Sequence, residues 1–368
     1  MLRNYLKIAL LLFLANQSFA QLTMPSGANK KAIVAERIGI TQVQINYNRP
    51  LVNGREGHIW GELVHYGFAD LHYGTSKAAP WRAGANENTT IEFSTEVSVE
   101  GKPIAAGKYG FFIAMDAEKA TIVFSKANNA WGSFYYNQKD DALRVEVPVQ
   151  KMTESRERLT YEFGEQTNDA ATVALLWEKV KIPFKISVDL PKLQIESFRN
   201  EVNSGAVYQY WQNMHTAANY CLVNNINLDE ALGWSDRSIN SFFGETNFQT
   251  LSTYAGLLEK LGRKREADSV MVKAMTLGKI PQLFQYGFEL CQNSKTKEAF
   301  AIFENNYKKD PSNDYSILGM AMGHYALKNQ KEALVFAKKG RDKTQDSGFK
   351  NYYSTLISKM EAGKDIFK

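Results

Sequence analysis

Arg265-Glu266-Ala267, Lys297-Glu298-Ala299 and Lys331-Glu332-Ala333 recur at intervals of 32 and 34 residues. Twelve positions before each alanine stands another small residue, Ala255, Gly287 or Ala321. A triplet repeated at this period, each with a small residue at a fixed distance before it, describes a helical hairpin used several times over. The small pairs let two antiparallel helices approach closely. Asp229-Glu230-Ala231 reads as an earlier, looser unit, and Pro311 stops a second helix because proline cannot continue one. Phe349 to Met360 is expected to cover the last apolar face, as a stacked array requires. Tyr208, Trp211, His215, Ala218 and Cys221 have helical spacing and form the expected packing face of the first array helix.

Upstream of Pro191 the period changes from that of helices to two. Val43 to Tyr47, Thr90 to Phe93, Thr121 to Phe124, Leu143 to Val147 and Leu159 to Phe163 alternate apolar and polar residues. Such alternation puts one face in a core and the other in water, the mark of antiparallel strands. Turn residues punctuate them at Gly101-Lys102-Pro103, Ala106-Gly107-Lys108 and Asn168-Asp169, with no amphipathic helix between, which argues a β-sandwich. Ala171 to Trp177 reads as a central strand covered on both faces, and Pro183 as the mark of a separate edge or bulged strand. Residues 51 to 88, rich in Gly, His, Trp and Tyr, break the pattern as a long excursion in which Ile59 to Val64 is expected to form a helical turn. The expected class is α+β in two domains, an antiparallel β-sandwich at 21–190 and an α-helical tandem array at 191–368.

The repeats resemble the tetratricopeptide family over roughly residues 206 to 345, with the small-residue and Glu-Ala positions matched and the large aromatic positions matched in part. That resemblance implies a tetratricopeptide-like solenoid with a protein partner on its concave surface.

Residues 1–20 are a separate object. Arg3 and Lys7 precede the apolar run Ile8 to Ala15, and Ser18 and Ala20 stand before Gln21 as a cleavage site would require. The run is short of the ~20 residues that span a bilayer, so a secretory signal peptide is expected, with periplasmic or secreted localisation and no membrane span in the mature chain. Of the 368 residues 44% are hydrophobic and 23% charged, which fits ordered globular protein. Residues 21–190 hold 19 basic and 20 acidic side chains and residues 191–368 hold 23 and 19, so no half is basic enough to expect nucleic acid as a partner. Cys221 and Cys291 fall two repeats apart. At ~8–10 Å per helix layer they exceed the ~7 Å reach of a disulfide, so two buried free thiols are expected.

The combination Asn48-Arg49-Pro50, Gly54-Arg55, Ile59 to Val64, Tyr66-Gly67 and Trp81-Arg82-Ala83-Gly84-Ala85-Asn86-Glu87-Asn88-Thr89-Thr90 resembles an exported Bacteroidetes family, domain-of-unknown-function family 2911. Ala106 to Phe112, Trp131-Gly132 and Ala174 to Glu178 extend the likeness over about residues 24 to 189. Two departures stand out: an insertion from Phe68 to Ala79, and His65 where the family has proline. The insertion puts in doubt a site running unbroken from Tyr66 to Trp81. The resemblance implies a fold and no activity.

Arg49, Arg55, Trp60, Trp81, Arg82, Asn86 and Glu87 gather around two loops. Guanidinium forks, amides and a carboxylate beside flat rings are what a glycan or a small anionic ligand requires. The same residues also serve to pin a long loop, and both readings stand. An enzyme acting on glycan, with Glu87 as acid or base and Glu62 as a second carboxylate, is the alternative. No nucleophile elbow, phosphate loop or zinc-protease helix is present, and no cofactor is implied. His58, His65 and His72 lie seven apart and match no standard metal spacing. Trp177 reads as core, and Trp131 as core or as surface.

Overall fold

A computed structural model of the chain describes residues 27–204 and 207–367, with the Tyr208 side chain also outside the description. The expected signal peptide lies outside these residues. The chain divides into two compact units, the first ending at Gln194 and the second beginning at Ile195.

The alternating segments all fold as strands. A six-stranded antiparallel sheet has the order β1 (Lys30–Ile38), β2 (Thr41–Arg49), β3 (Thr89–Phe93), β6 (Gly107–Met115), β7 (Lys119–Ser125), β8 (Asp141–Pro148). A four-stranded sheet has the order β5 (Lys102–Ile104), β4 (Val97–Val99), β10 (Ala170–Ser187), β9 (Gln150–Gly164). The two share one core, in which Phe111 meets Tyr161 at 6.0 Å and Phe184 at 5.5 Å between ring centroids. Glu100 and Gly101, both at positive φ, make the tight β4–β5 turn.

The expected separate strand at Pro183 is absent: β10 runs unbroken from Ala170 to Ser187. Its ladder with β9 ends at Lys181, and its ladder with β4 starts at Ile186, so Pro183 sits where no partner asks for an N–H. The irregularity lies instead at Glu178, where the register shifts on both sides and φ is +50°. Ala171 to Trp177 is buried on both faces as the uninterrupted apolar run predicts, apart from a half-buried Thr172.

The excursion between β2 and β3 has no regular strand. Ile59 to Val64 is not the expected helical turn but a tight loop closed by Val64 N donating to Ile59 O at 2.7 Å and Gly61 N donating to Val64 O at 2.8 Å. The insertion is pinched off at its base by reciprocal Ala69 and Ala79 backbone bonds of 3.0 and 2.8 Å. Gly67 N and Trp81 N donate to Met115 and Ile113 of β6 at 2.7 and 2.9 Å. The chain therefore returns to the same strand two residues from where it left.

Ten α-helices follow among the described residues: α1 (Leu190–Glu201), α2 (Trp211–Asn224), α3 (Leu228–Asn240), α4 (Phe248–Lys260), α5 (Lys264–Leu277), α6 (Ile280–Gln292), α7 (Thr296–Lys309), α8 (Asp314–Ala326), α9 (Gln330–Lys343) and α10 (Ser347–Glu361). Their ends follow the sequence. Asn247 and Thr250 cap α4 reciprocally, Asn313 accepts Tyr315 N, Asp346 accepts Phe349 N, and Pro311 lies beyond the end of α7. Ala267, Ala299 and Ala333 are buried where paired helices meet, as are Ala255, Gly287 and Ala321. On α2 the packing face is Met214, Ala217, Ala218 and Cys221, so the expected stripe is shifted and His215 falls at its edge. Helix α10 buries Tyr353, Leu356, Ile357 and Met360 in the last helical core. Both cysteines are free and buried, and burial raises each thiol pKa to about 11.

A Cβ on Gly287 would stand 2.5 Å from the Phe303 ring. Gly287→Val is therefore expected to cost the helical unit about 1–3 kcal/mol. Gly233→Ala, whose added methyl meets nothing within 4 Å, is expected to stabilise it by up to ~1 kcal/mol. Chemical denaturation followed by circular dichroism measures both.

Candidate functional site

Two regions are candidates, one in each unit. In the sheet unit the residues singled out from the sequence fall into separate groups. Arg49 donates from Nε to Leu159 O at 2.9 Å and from Nη2 to Thr160 Oγ1 at 2.8 Å, tying β2 to β9. Arg55 donates to the Val52 and Leu51 carbonyls at 2.9 and 2.7 Å, holding its own turn. Both forks are occupied by the protein itself.

Trp60, Trp81 and Trp177 form a cluster with centroids 5.7 to 6.0 Å apart. Trp81 Nε1 donates to Gly84 O at 3.2 Å, and Trp60 Nε1 donates to Glu178 Oε2 at 3.2 Å. The other Glu178 oxygen accepts Gly57 N at 3.2 Å. A buried carboxylate at a strained bulge thus fastens the excursion to β10. The sequence reading missed Glu178 as an anchor, because a glutamate in an apolar strand signals neither its bulge nor its partners. Trp177 is core, at 1% exposure, and its Nε1 has no partner.

Arg82, Asn86 and Glu87 do come together, on the loop before β3. Arg82 Nη1 donates to Asn86 O at 2.8 Å, and its guanidinium lies against Gly132 and 5.0 Å from the Phe134 centroid. Burial lowers the Arg82 pKa. Asn48, also missed, bridges the pair: its oxygen accepts Asn86 Nδ2 at 3.3 Å and its Nδ2 donates to Glu87 Oε2 at 2.9 Å. Lys31 donates to Glu87 Oε1 at 2.8 Å. Ala83, at φ +52°, has its carbonyl bound by Thr89 Oγ1 at 2.9 Å and Tyr161 OH at 2.8 Å. Trp131 and Tyr135 stand about 60% exposed on the neighbouring loop.

Glu87 is held below the ordinary carboxylate range, chiefly by Lys31, against a smaller opposing effect of burial. Lys31 and Asn48 thus favour the ionised form of Glu87. Glu62 is engaged elsewhere, with His58 Nδ1 at 3.0 Å. Among the described residues no three His, Cys, Asp or Glu side chains assemble as metal ligands. His72 is exposed beside Asp70, and His65 Nδ1 is buried without a partner.

In the helical unit the candidate lies on three alternate helices. Phe284 and Phe288 of α6, Tyr315, Leu318 and Met322 of α8, and Phe349 and Tyr352 of α10 line a cavity of about 380 Å³. Gln285 borders it and also borders a second depression of about 800 Å³, floored by α4, α5 and α6 and reaching His215 and Asn219 of α2. The i, i+4 spacing of Phe284 and Phe288 turns both rings toward α8. Phe288 also receives the ring of Phe367 at 5.8 Å, and Gln292 Nε2 donates to Phe367 O at 3.4 Å.

Fold and sites together define a two-sheet antiparallel sandwich unit followed by a repeat-like helical array. Residues 29–186 match the family described as "Protein of unknown function (DUF2911)", so the likeness read from the loop motifs holds over the sheet unit. No curated protein matches the chain. Among solved structures, YrrB, described as a TPR protein with an unusual peptide-binding site, is similar at 17% identity and TM-score 0.28, over 44% of this chain and 81% of its own. The MamA RS-1 ArsTM double mutant is similar at 16% identity and TM-score 0.28, over 47% of this chain and 86% of its own. Likeness at this level decides nothing about the groove, whose character rests on its own residues.

Glu178→Ala is expected to cost the sheet unit about 1–3 kcal/mol by orphaning Trp60 Nε1 and Gly57 N, and to red-shift tryptophan emission. Glu178→Gln, which keeps an acceptor oxygen, is expected to lose less. The Glu87 pKa is lower folded than unfolded, so its stabilisation is complete above the ordinary value of 4.5 and lost as pH falls through the depressed one. Lys31→Met removes the main cause, so its stability deficit against wild type, small because both groups are largely exposed, should vanish in acid. Urea denaturation across pH reads the trend.

Proposed function

We propose that the chain is an exported, non-catalytic interaction protein whose helical array docks a peptide segment of a partner protein. The observation that carries this reading is the aromatic groove: seven aromatic or aliphatic side chains from α6, α8 and α10 line one open cavity of about 380 Å³, with Asp346 the one charged residue on it. A cavity of that size and lining matches an apolar side chain presented by an extended segment. The packing of Phe367 on Phe288, with its carbonyl bound by Gln292, is a local example of the same chemistry. Export rests on the first twenty residues, with a basic start, an apolar run and small residues before Gln21. The sheet unit is the ligand-holding or envelope-holding part of this reading. The half-buried Arg82, over Phe134 and against Gly132, which follows the exposed Trp131, is where a glycan or small anion would find a cation and a flat ring.

Short random peptides displayed on phage and panned against the full chain are expected to enrich sequences with a large apolar residue. Phe288→Ala and Tyr352→Ala are each expected to weaken the selected peptides by about fivefold or more. Absence of enrichment, or peptides indifferent to both substitutions, sinks the reading.

A further inference from the structure

The second depression in the array differs in chemistry from the aromatic groove. Glu259, Asp268, Glu289 and Glu298 line it, against two lysines, Lys264 and Lys295. Lys295 is spent on Glu259 at 3.4 Å, which leaves the acids in excess. Residues 191–368 as a whole carry 23 basic and 19 acidic side chains, so this excess is local and opposes the sign of the unit that holds it. The four carboxylates come one each from the successive helices α4, α5, α6 and α7, converged by the repeat. All four lie near enough to the Tyr286 hydroxyl to add to the upward shift that burial gives its pKa. His215, at the far end, is depressed by burial and so supplies no compensating positive charge at neutral pH.

The two depressions meet at Gln285. On α6, Phe284 and Phe288 turn toward α8, while Tyr286 and Glu289 turn toward α4. One segment crossing α6 would therefore place an apolar residue on one side and the residues next to it over the carboxylates. Four carboxylates against two lysines leave a net negative lining, which repels an acidic segment and lowers the free energy of a lysine- or arginine-bearing one.

We propose that the array selects a basic peptide segment of a partner protein, its apolar residue seated between α6, α8 and α10 and its lysines or arginines over the acidic depression. The proposal rests on the peptide-docking reading above and adds the charge class of the occupant. Occupancy is expected to be salt-sensitive, because the carboxylates are exposed and screened within a Debye length of ~8 Å at physiological ionic strength.

The test uses the full chain and fluorescence anisotropy with three labelled peptides that share one phenylalanine and differ only in its flank: lysines, glutamines or glutamates. The lysine peptide is expected to bind at least about tenfold tighter than the glutamate peptide, with the gap closing as salt is added. A double substitution, Asp268→Lys with Glu289→Lys, changes two exposed residues and should leave the melting temperature unchanged while reducing or reversing that preference. Equal binding of the three peptides, or tighter binding of the glutamate peptide, overturns the charge inference and leaves peptide docking intact. Failure of all three to bind, or binding that Phe288→Ala leaves unchanged, overturns both.

Discussion

The Phe303 ring occupies the space that two missing side chains leave. A Cβ on Gly287 of α6 or Gly319 of α8 would come within 2.5 or 2.7 Å of it, and one on Gly323 within 2.8 Å of Phe300. Because α7 presses these rings against bare backbone on both neighbours, α6 and α8 stand close enough for their other faces to share a cavity. The width of the aromatic groove is thus set from behind, by a large residue fitted to small ones. Gly340 plays the same part further on, where its missing side chain admits the Tyr353 ring of α10. Close packing of this kind tolerates no extra methylene without a shift of the helices.

The sheet unit is organised by a different constraint. A long irregular excursion must satisfy its backbone and bury its rings without a ladder of its own. It does so by borrowing. Glu178 holds Trp60 and Gly57, Tyr161 holds Ala83, Arg49 and Arg55 hold carbonyls, and β6 receives the chain on either side of the insertion. Most residues that look like a binding constellation in sequence are fasteners in space. Arg82 differs from Arg49 and Arg55, whose forks are each held by two hydrogen bonds: it donates once, to Asn86 O, and its face lies on Phe134.

Much of the architecture was legible because it repeats. The small residues at 255, 287 and 321 and the Glu-Ala triplets marked helix contacts, and alternation marked the strands, since both report which face is buried. Pro183 misled because a single chain position does not reveal where one ladder stops and another begins. The insertion was visible as extra length, but its closure through Ala69 and Ala79 depends on backbone bonds that no side chain announces.

The amino-acid sequence by itself determined the order of the two units, the periods of their elements and the small-for-large exchanges that set helix spacing, because these are local patterns of volume and polarity. Only the tertiary structure decided which residues work together. Asn48 joined Asn86 and Glu87, Glu178 joined Trp60, and four carboxylates from four helices joined one depression. Side chains remote in sequence become neighbours through strand pairing and helix stacking, and the field or cavity they make exists only once those pairings are formed.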